Sequence, residues 1–353
     1  MISSRLRLPV IAAALIVLVA SAVLVLRQDT EPAPAPERPT DLRLLDIDFA
    51  TERHWFALRA RCEQADCTHQ LLDVDNGVVQ VRELPEPLRA HRSGPPPRLH
   101  VLGGKLAVAG AERRWHSEDR GRTWQEGLMA VDWPMDGLLP DMLLQHSCHG
   151  KDPCVPGIDA VLSFTGQQVP LTPEFTPPLT EPFPFPRQLA GRWWVVGKRD
   201  GRAAVSTSDG NGRRWQTREL PSTPPGAFRW AEVVVSGDTA YVLITTDHQP
   251  FASTLYRGAG EKWEQVWQAR PDGQPPEITG LAAAPDGTLL AVSQGGGSWF
   301  SADGGHTFHA GQIAEQRVPG DTLRSVRGGM LSTSERGASH SVDGRRWTPL
   351  PFG

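Results

Sequence analysis

The sequence predicts an all-β fold, a seven-bladed β-propeller following an N-terminal transmembrane helix. Three observations predict it. One short turn motif recurs down the chain, its copies fall about one propeller blade apart, and the intervals hold short strands instead of helical periodicity. Counts of 35 glycines and 32 prolines agree, because turns between short strands consume both residues.

At the N-terminus, Arg5 and Arg7 precede a nearly unbroken apolar run from Leu8 to Leu26, closed by Arg27. At about 1.5 Å per residue that run reaches roughly 28 Å, about the thickness of a bilayer's hydrocarbon core. Ala20-Ser21-Ala22 offers a signal-peptidase site, so a cleaved signal is the alternative. Val23 to Leu26 continue the apolar run past that site, which favours an uncleaved anchor. The expected organisation is a cytoplasmic tail (1–7), a transmembrane signal anchor (8–26), a Pro/Ala-rich linker (27–41) and a propeller (42–353). Because the positive flank stays inside, the expected place is the inner (cytoplasmic) membrane, crossed once. The C-terminal domain then lies in the periplasm or extracytoplasmic space. Glu31 to Thr40, rich in Pro and Ala, reads as an extended, semi-rigid spacer.

The recurring motif is Ser117-Glu118-Asp119-Arg120-Gly121-Arg122-Thr123-Trp124. It returns at Ser301, Asp303, Gly305 and Thr307, ending on Phe308 in place of Trp. A copy one residue longer holds Asp209, Gly212 and Trp215; one a residue shorter holds Ser341, Asp343 and Trp347. Ser and Asp side chains bond backbone groups a few residues on, Gly supplies positive φ, and the aromatic packs back beneath the turn. The motif therefore belongs between adjacent strands, and its carboxylate is structural. These copies resemble the Asp-box, S-x-D-x-G-x-T-W, of the bacterial neuraminidase repeat family. A further degenerate copy, Tyr256 to Trp263, keeps Gly260 and Trp263 at their positions.

Turn positions at 75, 119, 165, 209, 258, 303 and 343 give seven units separated by 40 to 49 residues. That is the length of a four-stranded blade. In the sixth unit, Ile278 to Ala284 is a small-residue run suited to an inner strand; Leu289 to Val292, Ser298 to Phe300 and Thr307 to His309 follow. The stretches Ala130 to Leu144 and Leu171 to Pro186 fit the period poorly, so the alternative is six blades with an irregular insert. Closure of the ring by a swapped outer strand is not evident, which leaves side-chain packing between last and first units.

In an exported protein the close pairs Cys62-Cys67 and Cys148-Cys154 read as disulfides. The competing reading, a metal held by His146, Cys148, His149 and Cys154, matches no standard zinc spacing. Net charge is −4 with no basic stripe, which argues against a nucleic-acid partner.

Families sharing the repeat include sialidases, xyloglucan-cleaving glycosidases, sortilin-type receptors and photosystem II assembly factors. Fold does not choose among them. The resemblance to sialidases implies three arginines, a Tyr nucleophile with a Glu partner, and an Asp acid/base. Here the early Arg-Ile-Pro signature is absent, Phe228-Arg229-Trp230 is a faint echo in the wrong blade, and the two tyrosines, Tyr241 and Tyr256, fall on the wrong strands. A glycosidase needs two carboxylates across a cleft, and nothing pairs any two of Asp46, Asp48, Asp132, Asp136, Asp141, Glu232 and Glu277. His54, His100 and His340 stand isolated. Trp55, Trp133, Trp193, Trp194 and Trp230 either fill inter-blade cores or anchor a partner, and Arg187, Arg192, Arg229 and Arg324 are candidates to line one face.

Photosystem II assembly factors are similar in length and degenerate repeat, although no lipobox cysteine follows the anchor here. That resemblance implies an assembly scaffold and names no client. The expectation is a non-catalytic protein-binding or assembly scaffold with no catalytic residue, cofactor or metal, its partners the membrane and another envelope protein. The alternative is a carbohydrate-active enzyme or glycan-binding protein.

Overall fold

Strands dominate because most intervals alternate apolar with polar residues and end at glycine-bearing turns. Asp75↔Val78 flank the two-residue turn Asn76-Gly77 (φ 48° and 83°), and Arg199↔Arg202 flank Asp200-Gly201 (φ 50° and 78°). Both central residues have positive φ, the hairpin geometry that Asn-Gly and Asp-Gly favour. The computed structural model describes residues 41–63, 66–91, 97–102, 105–109, 114–127, 137–149, 155–162, 168–248, 253–270, 273, 275–311, 318–334 and 337–352. The predicted tail, anchor and nearly all of the linker lie outside them, as do Cys154, Trp133, Asp132 and Asp136.

The described residues form seven antiparallel sheets in chain order, one per predicted unit. Their first strands are Asp41–Phe49, Arg98–Leu102, Leu143–His149, Thr180–Pro184, Phe228–Ser236, Ile278–Ala283 and Thr322–Val326. Each sheet is a simple meander in which successive strands are hydrogen-bonded neighbours. The first sheet gains a short extra strand, Ala90–His91, after a one-turn helix, Glu86–Arg89. The third shows three strands; residues 128–136, before it, lie outside the described set. The fold is an all-β, seven-bladed propeller.

Seven hydrophobic clusters, one at each interface between neighbouring blades, hold the ring. Phe56, Leu58 and Leu71 of blade 1 meet Leu99, Val101 and Val108 of blade 2. Trp193 and Val195 of blade 4 pack on Leu144, Ile158 and Ala160 of blade 3, and Trp194 and Val196 face Val233, Val242 and Tyr256 of blade 5. Because side chains alternate along a strand, Trp193 and Trp194 serve opposite interfaces of one blade. Blades 5–6, 6–7 and 2–3 follow the same pattern. The circle closes where Leu331 and Ala338 of blade 7, with Leu350 and Phe352, pack on Ile47, Phe49, Trp55 and Val74 of blade 1. Trp55, Trp193 and Trp194 are thus core residues, and Trp230 packs half-buried on the blade 5–6 cluster.

Candidate functional site

The motif turns sit between third and fourth strands, and three share one bonding pattern. In Ser117–Trp124 the Ser117 hydroxyl donates to Asp119 Oδ1 (2.8 Å) and accepts from the Gly121 N–H (2.7 Å). Asp119 also accepts from the Thr123 N–H (2.8 Å) and hydroxyl (2.6 Å). Asp303 repeats this with Ser301, Thr307 and, through Ser301, the Gly305 N–H. In the short copy Asp343 accepts from Ser341 (3.1 Å) and the Arg345 and Arg346 N–H groups (both 2.8 Å). The Thr123 hydroxyl and N–H hold the Asp119 carboxyl down at about 2. At Asp303 burial pushes the other way, yet the Thr307 hydroxyl and N–H win and hold it well below the usual carboxylate range. The long copy differs. Asp209 pairs with Arg192 (2.8 Å), and Asn211 Oδ1 accepts the Arg213 N–H (3.3 Å) in its place.

Each turn also touches the blade before it. A Cβ on Gly121 would stand 2.5 Å from Leu71, one on Gly212 2.6 Å from Leu138, one on Gly305 2.8 Å from Leu255 and one on Gly344 2.4 Å from Leu290. The aromatics reach the same way: Trp124 Nε1 donates to the Glu83 carbonyl (3.0 Å), Trp215 Nε1 to Phe175 (2.8 Å), and Phe308 sits edge-on to Trp267 at 5.7 Å. Trp263 lies against Gly258 within its own blade, and Gly260 (φ 63°) makes the adjoining turn. Phe308 and Trp347 join the clusters at the blade 5–6 and 6–7 interfaces. Between blades 1 and 2 a further staple forms, in which Arg120 clamps Asp73 (2.7 and 3.1 Å) and Asp75 (3.0 Å). Burial would raise the Asp73 carboxyl, but bonds from Arg120, His54 and Arg82 leave it below its ordinary value.

The axis carries the second concentration of charge. Asp46 and Asp48, two apart on the first strand of blade 1, point to one side. Asp46 Oδ2 accepts the Leu99 N–H of blade 2 (2.9 Å) and Asp48 Oδ2 the Val101 N–H (2.7 Å). Glu232 Oε2 on blade 5 likewise accepts the Leu281 N–H of blade 6 (3.2 Å). Inner strands have no further strand on the axial side, so these carboxylates satisfy backbone donors that a sheet would otherwise pair. Arg187, past the first strand of blade 4, crosses to Asp48 and the Val101 carbonyl (3.0 Å). Arg324 of blade 7 donates to the Ile47 carbonyl and lies 3.5 Å from Asp46, while Arg327 in the next turn donates to the Ala50 carbonyl (3.1 Å). Burial pushes the Glu232 carboxyl up to about 8 despite the Leu281 N–H and Arg324, so it is neutral at pH 7.

The axial cluster thus gathers five residues named from sequence, Asp46, Asp48, Glu232, Arg187 and Arg324. Arg192 pairs with Asp209 outside it, and Arg229 is exposed on blade 5. Sequence reasoning missed Arg327; its turn, Val326 to Gly329, carries no motif. Where the turns between first and second strands of blades 4 to 7 converge, a cavity of about 400 Å³ opens. Leu189, Val235, Ala283, Pro285 and Val326 line it.

The remaining candidates have structural partners. Tyr256 is buried, its hydroxyl donating to the Ser222 carbonyl (3.0 Å), and burial pushes it up to about 12. Tyr241 is buried in the blade 5–6 cluster. His54 Nε2 lies 3.0 Å from Asp73 Oδ1, and His340 stacks on Phe49 at 4.9 Å. The Cys62–Cys67 disulfide joins the second and third strands of blade 1; the Cys148–Cys154 pairing falls outside the described residues. Among the described residues no group of three His, Cys, Asp or Glu is placed to hold a metal.

Residues 188–327 match the family model of the DUF6242 beta propeller domain. No curated protein matches the sequence. Among solved structures, a puromycin-hydrolyzing peptidase of Mycobacterium tuberculosis is similar over 88% of this chain and 53% of its own, at 13% identity and a TM-score of 0.54. YCF48 from Cyanidioschyzon merolae is similar over 88% and 96%, at 14% identity and a TM-score of 0.48. A mutant Trypanosoma rangeli sialidase displaying trans-sialidase activity is similar over 85% and 52%, at 13% identity and a TM-score of 0.40. At these identities the likeness is one of fold.

Proposed function

We propose that this chain is a membrane-tethered propeller on the outer side of the inner membrane, acting as a non-catalytic protein-binding or assembly scaffold. The observation that carries the reading is the work already done by the axial carboxylates. Asp46 and Asp48 lie on one strand, not across a cleft, and each holds a neighbouring blade's N–H as well as an arginine. Glu232 is neutral and holds Leu281. A hydrolytic pair needs one acid and one base facing a substrate, and these groups face the fold.

A second feature supports docking. Among the described residues no strand pairs with the outer edge of blade 1's fourth strand, Val78–Arg82, which exposes Val78 (61%), Val79 (38%) and Val81 (53%). The matching strands of blades 2 and 4, Gln125–Gly127 and Gln216–Glu219, present polar side chains instead. An aliphatic edge is what natural sheets avoid unless something covers it. The test is crosslinking and pull-down of the full-length protein from its native membrane. One stoichiometric envelope partner is the expected result; recovery of none, together with hydrolysis of a glycan, would overturn the reading.

A further inference from the structure

The ring closes over a histidine. His340, on the third strand of blade 7 (Gly337–Ser341), is directly opposite Leu331, whose side chain belongs to the closing cluster between blades 7 and 1. Opposed residues present their side chains on one face, so His340 points towards blade 1 as well. There its ring stacks on Phe49 at 4.9 Å. Its Nε2 is buried and has no hydrogen-bond partner. Backbone crowds that nitrogen: a Cβ on Gly329, in the adjacent strand, would stand 2.8 Å from it.

The charged groups around this junction do little to favour a charged ring. Glu52, in the first turn of blade 1, is the acid whose field reaches His340. Arg327, Arg324 and Arg59 face the same interface, and each donates to a backbone carbonyl there, of Ala50, Ile47 and Phe352. Asp46 lies nearer the axis, 3.5 Å from Arg324, and holds the Leu99 N–H. His54 and Asp73 pair with each other on the opposite face of blade 1, since Trp55, the residue after His54, faces blade 7. A charged imidazole carries an N–H at both nitrogens, and the one at Nε2 would have no acceptor. An unpaired polar group out of water is costly, and a charge more so.

From this geometry we propose that His340 is an acid-sensitive latch on the ring: neutral, it lets blade 7 seat on blade 1, and protonated, it loosens that closure. The latch is independent of what the propeller binds. Burial supports it by holding the ring's pKa below the ordinary 6.5, against a backbone bond to Gly328 and the pull of Glu52. The unfolded chain therefore takes up this proton before the folded one does. Stability from the neutral ring is full above the unfolded value and is lost as pH falls through the folded one.

Urea titration of the full-length protein in detergent, at pH 8 and at pH 5, reads the latch. His340→Phe keeps a ring against Phe49 but cannot titrate, and His340→Gln is a smaller alternative should the Phe ring not fit. Between pH 8 and pH 5 the parent's midpoint falls relative to either variant's by at least about 0.3 M urea. His309→Gln, which removes an exposed histidine of blade 6, keeps the parent's fall. Glu232 responds to pH in the opposite sense, but it is common to all these chains and cancels in the differences. A gap between parent and His340 variants that does not change with pH, or a His309→Gln that abolishes the same fall, would overturn the proposal. Ring resonances of isotope-labelled histidine test it with no variant at all. One ring titrates below 6.5 in the parent; titration of every ring at or above that value would equally overturn it.

Discussion

At the residue scale, the same side chain serves two neighbours wherever the ring depends on it. Gly344 needs positive φ for its turn (74°) and leaves room for Leu290 of the preceding blade, 2.4 Å from where a Cβ would stand. Gly344→Ala therefore meets both a strained backbone and an overlap. We expect it to cost about 2 kcal/mol or more by urea titration, with Gly121→Ala similar; a loss under half that would mean the turns are not inter-blade contacts. Glu232 gives a test of opposite character. Its carboxyl is raised to about 8, so the folded chain keeps a proton that the unfolded chain releases near pH 4.5. Stability from this residue is present below pH 4.5 and lost as pH rises towards 8. Glu232→Gln holds the neutral form at nearly the same size, so it should match the parent at pH 4 and exceed it at pH 9 by on the order of a few kcal/mol. Urea midpoints measured across that range decide the matter; an unchanged difference would show that Glu232 is ionised in the fold. Asp119 behaves in the reverse sense. With a carboxyl near 2, its contribution is present above the usual Asp range and lost as pH falls towards 2.

Elements show which strands are built for the ring and which for something beyond it. Inner strands are buried on both sides, as in Ile278–Ala283, and outer strands are short or polar, as in Gln216–Glu219. Val78–Arg82 departs from that rule. Val81→Lys places a charge on its free edge, a device that natural edge strands use against pairing. Nothing buried is disturbed, so thermal stability should stay within about 0.5 kcal/mol, while recovery of the crosslinked partner falls severalfold. Undiminished recovery would place docking elsewhere. Much at this scale was legible beforehand. Asp75-Asn76-Gly77 and Asp303 to Phe308 announce themselves because a turn needs particular residues at fixed offsets. The axial cluster was legible only in part. Asp46, Asp48 and Glu232 could be named from their places near inner-strand ends, and Arg187 and Arg324 as candidates to line one face, but Arg187 meets Asp48 across three blades, and spacing along the chain cannot report such a distance. Nor could local sequence say that Trp124 and Gly121 face the previous blade, since that follows from how the sheets stack.

For the whole molecule, what matters is how seven sheets become a closed ring without a shared strand. Among the described residues each sheet is a separate meander and no hydrogen-bonded ladder crosses an interface, so closure there rests on side chains. At the last-to-first interface, Phe352 lies 6.0 Å from Trp55, Leu350 joins the same cluster, and Arg59 donates to the Phe352 carbonyl. Arg324 adds an axial tie from blade 7 to the Ile47 carbonyl. In a ring every interface must form for any one to be complete, so loss at the junction should weaken the whole domain, not fray one blade. Phe352→Ala deletes the ring against Trp55 and should cost about 2–4 kcal/mol. The cooperative reading requires that this appear as one earlier transition in urea, with Trp fluorescence and far-UV circular dichroism shifting together. An early transition confined to blades 1 and 7, seen as amide exchange accelerating there alone while blades 4 and 5 keep their protection, would show instead that the propeller tolerates an open ring.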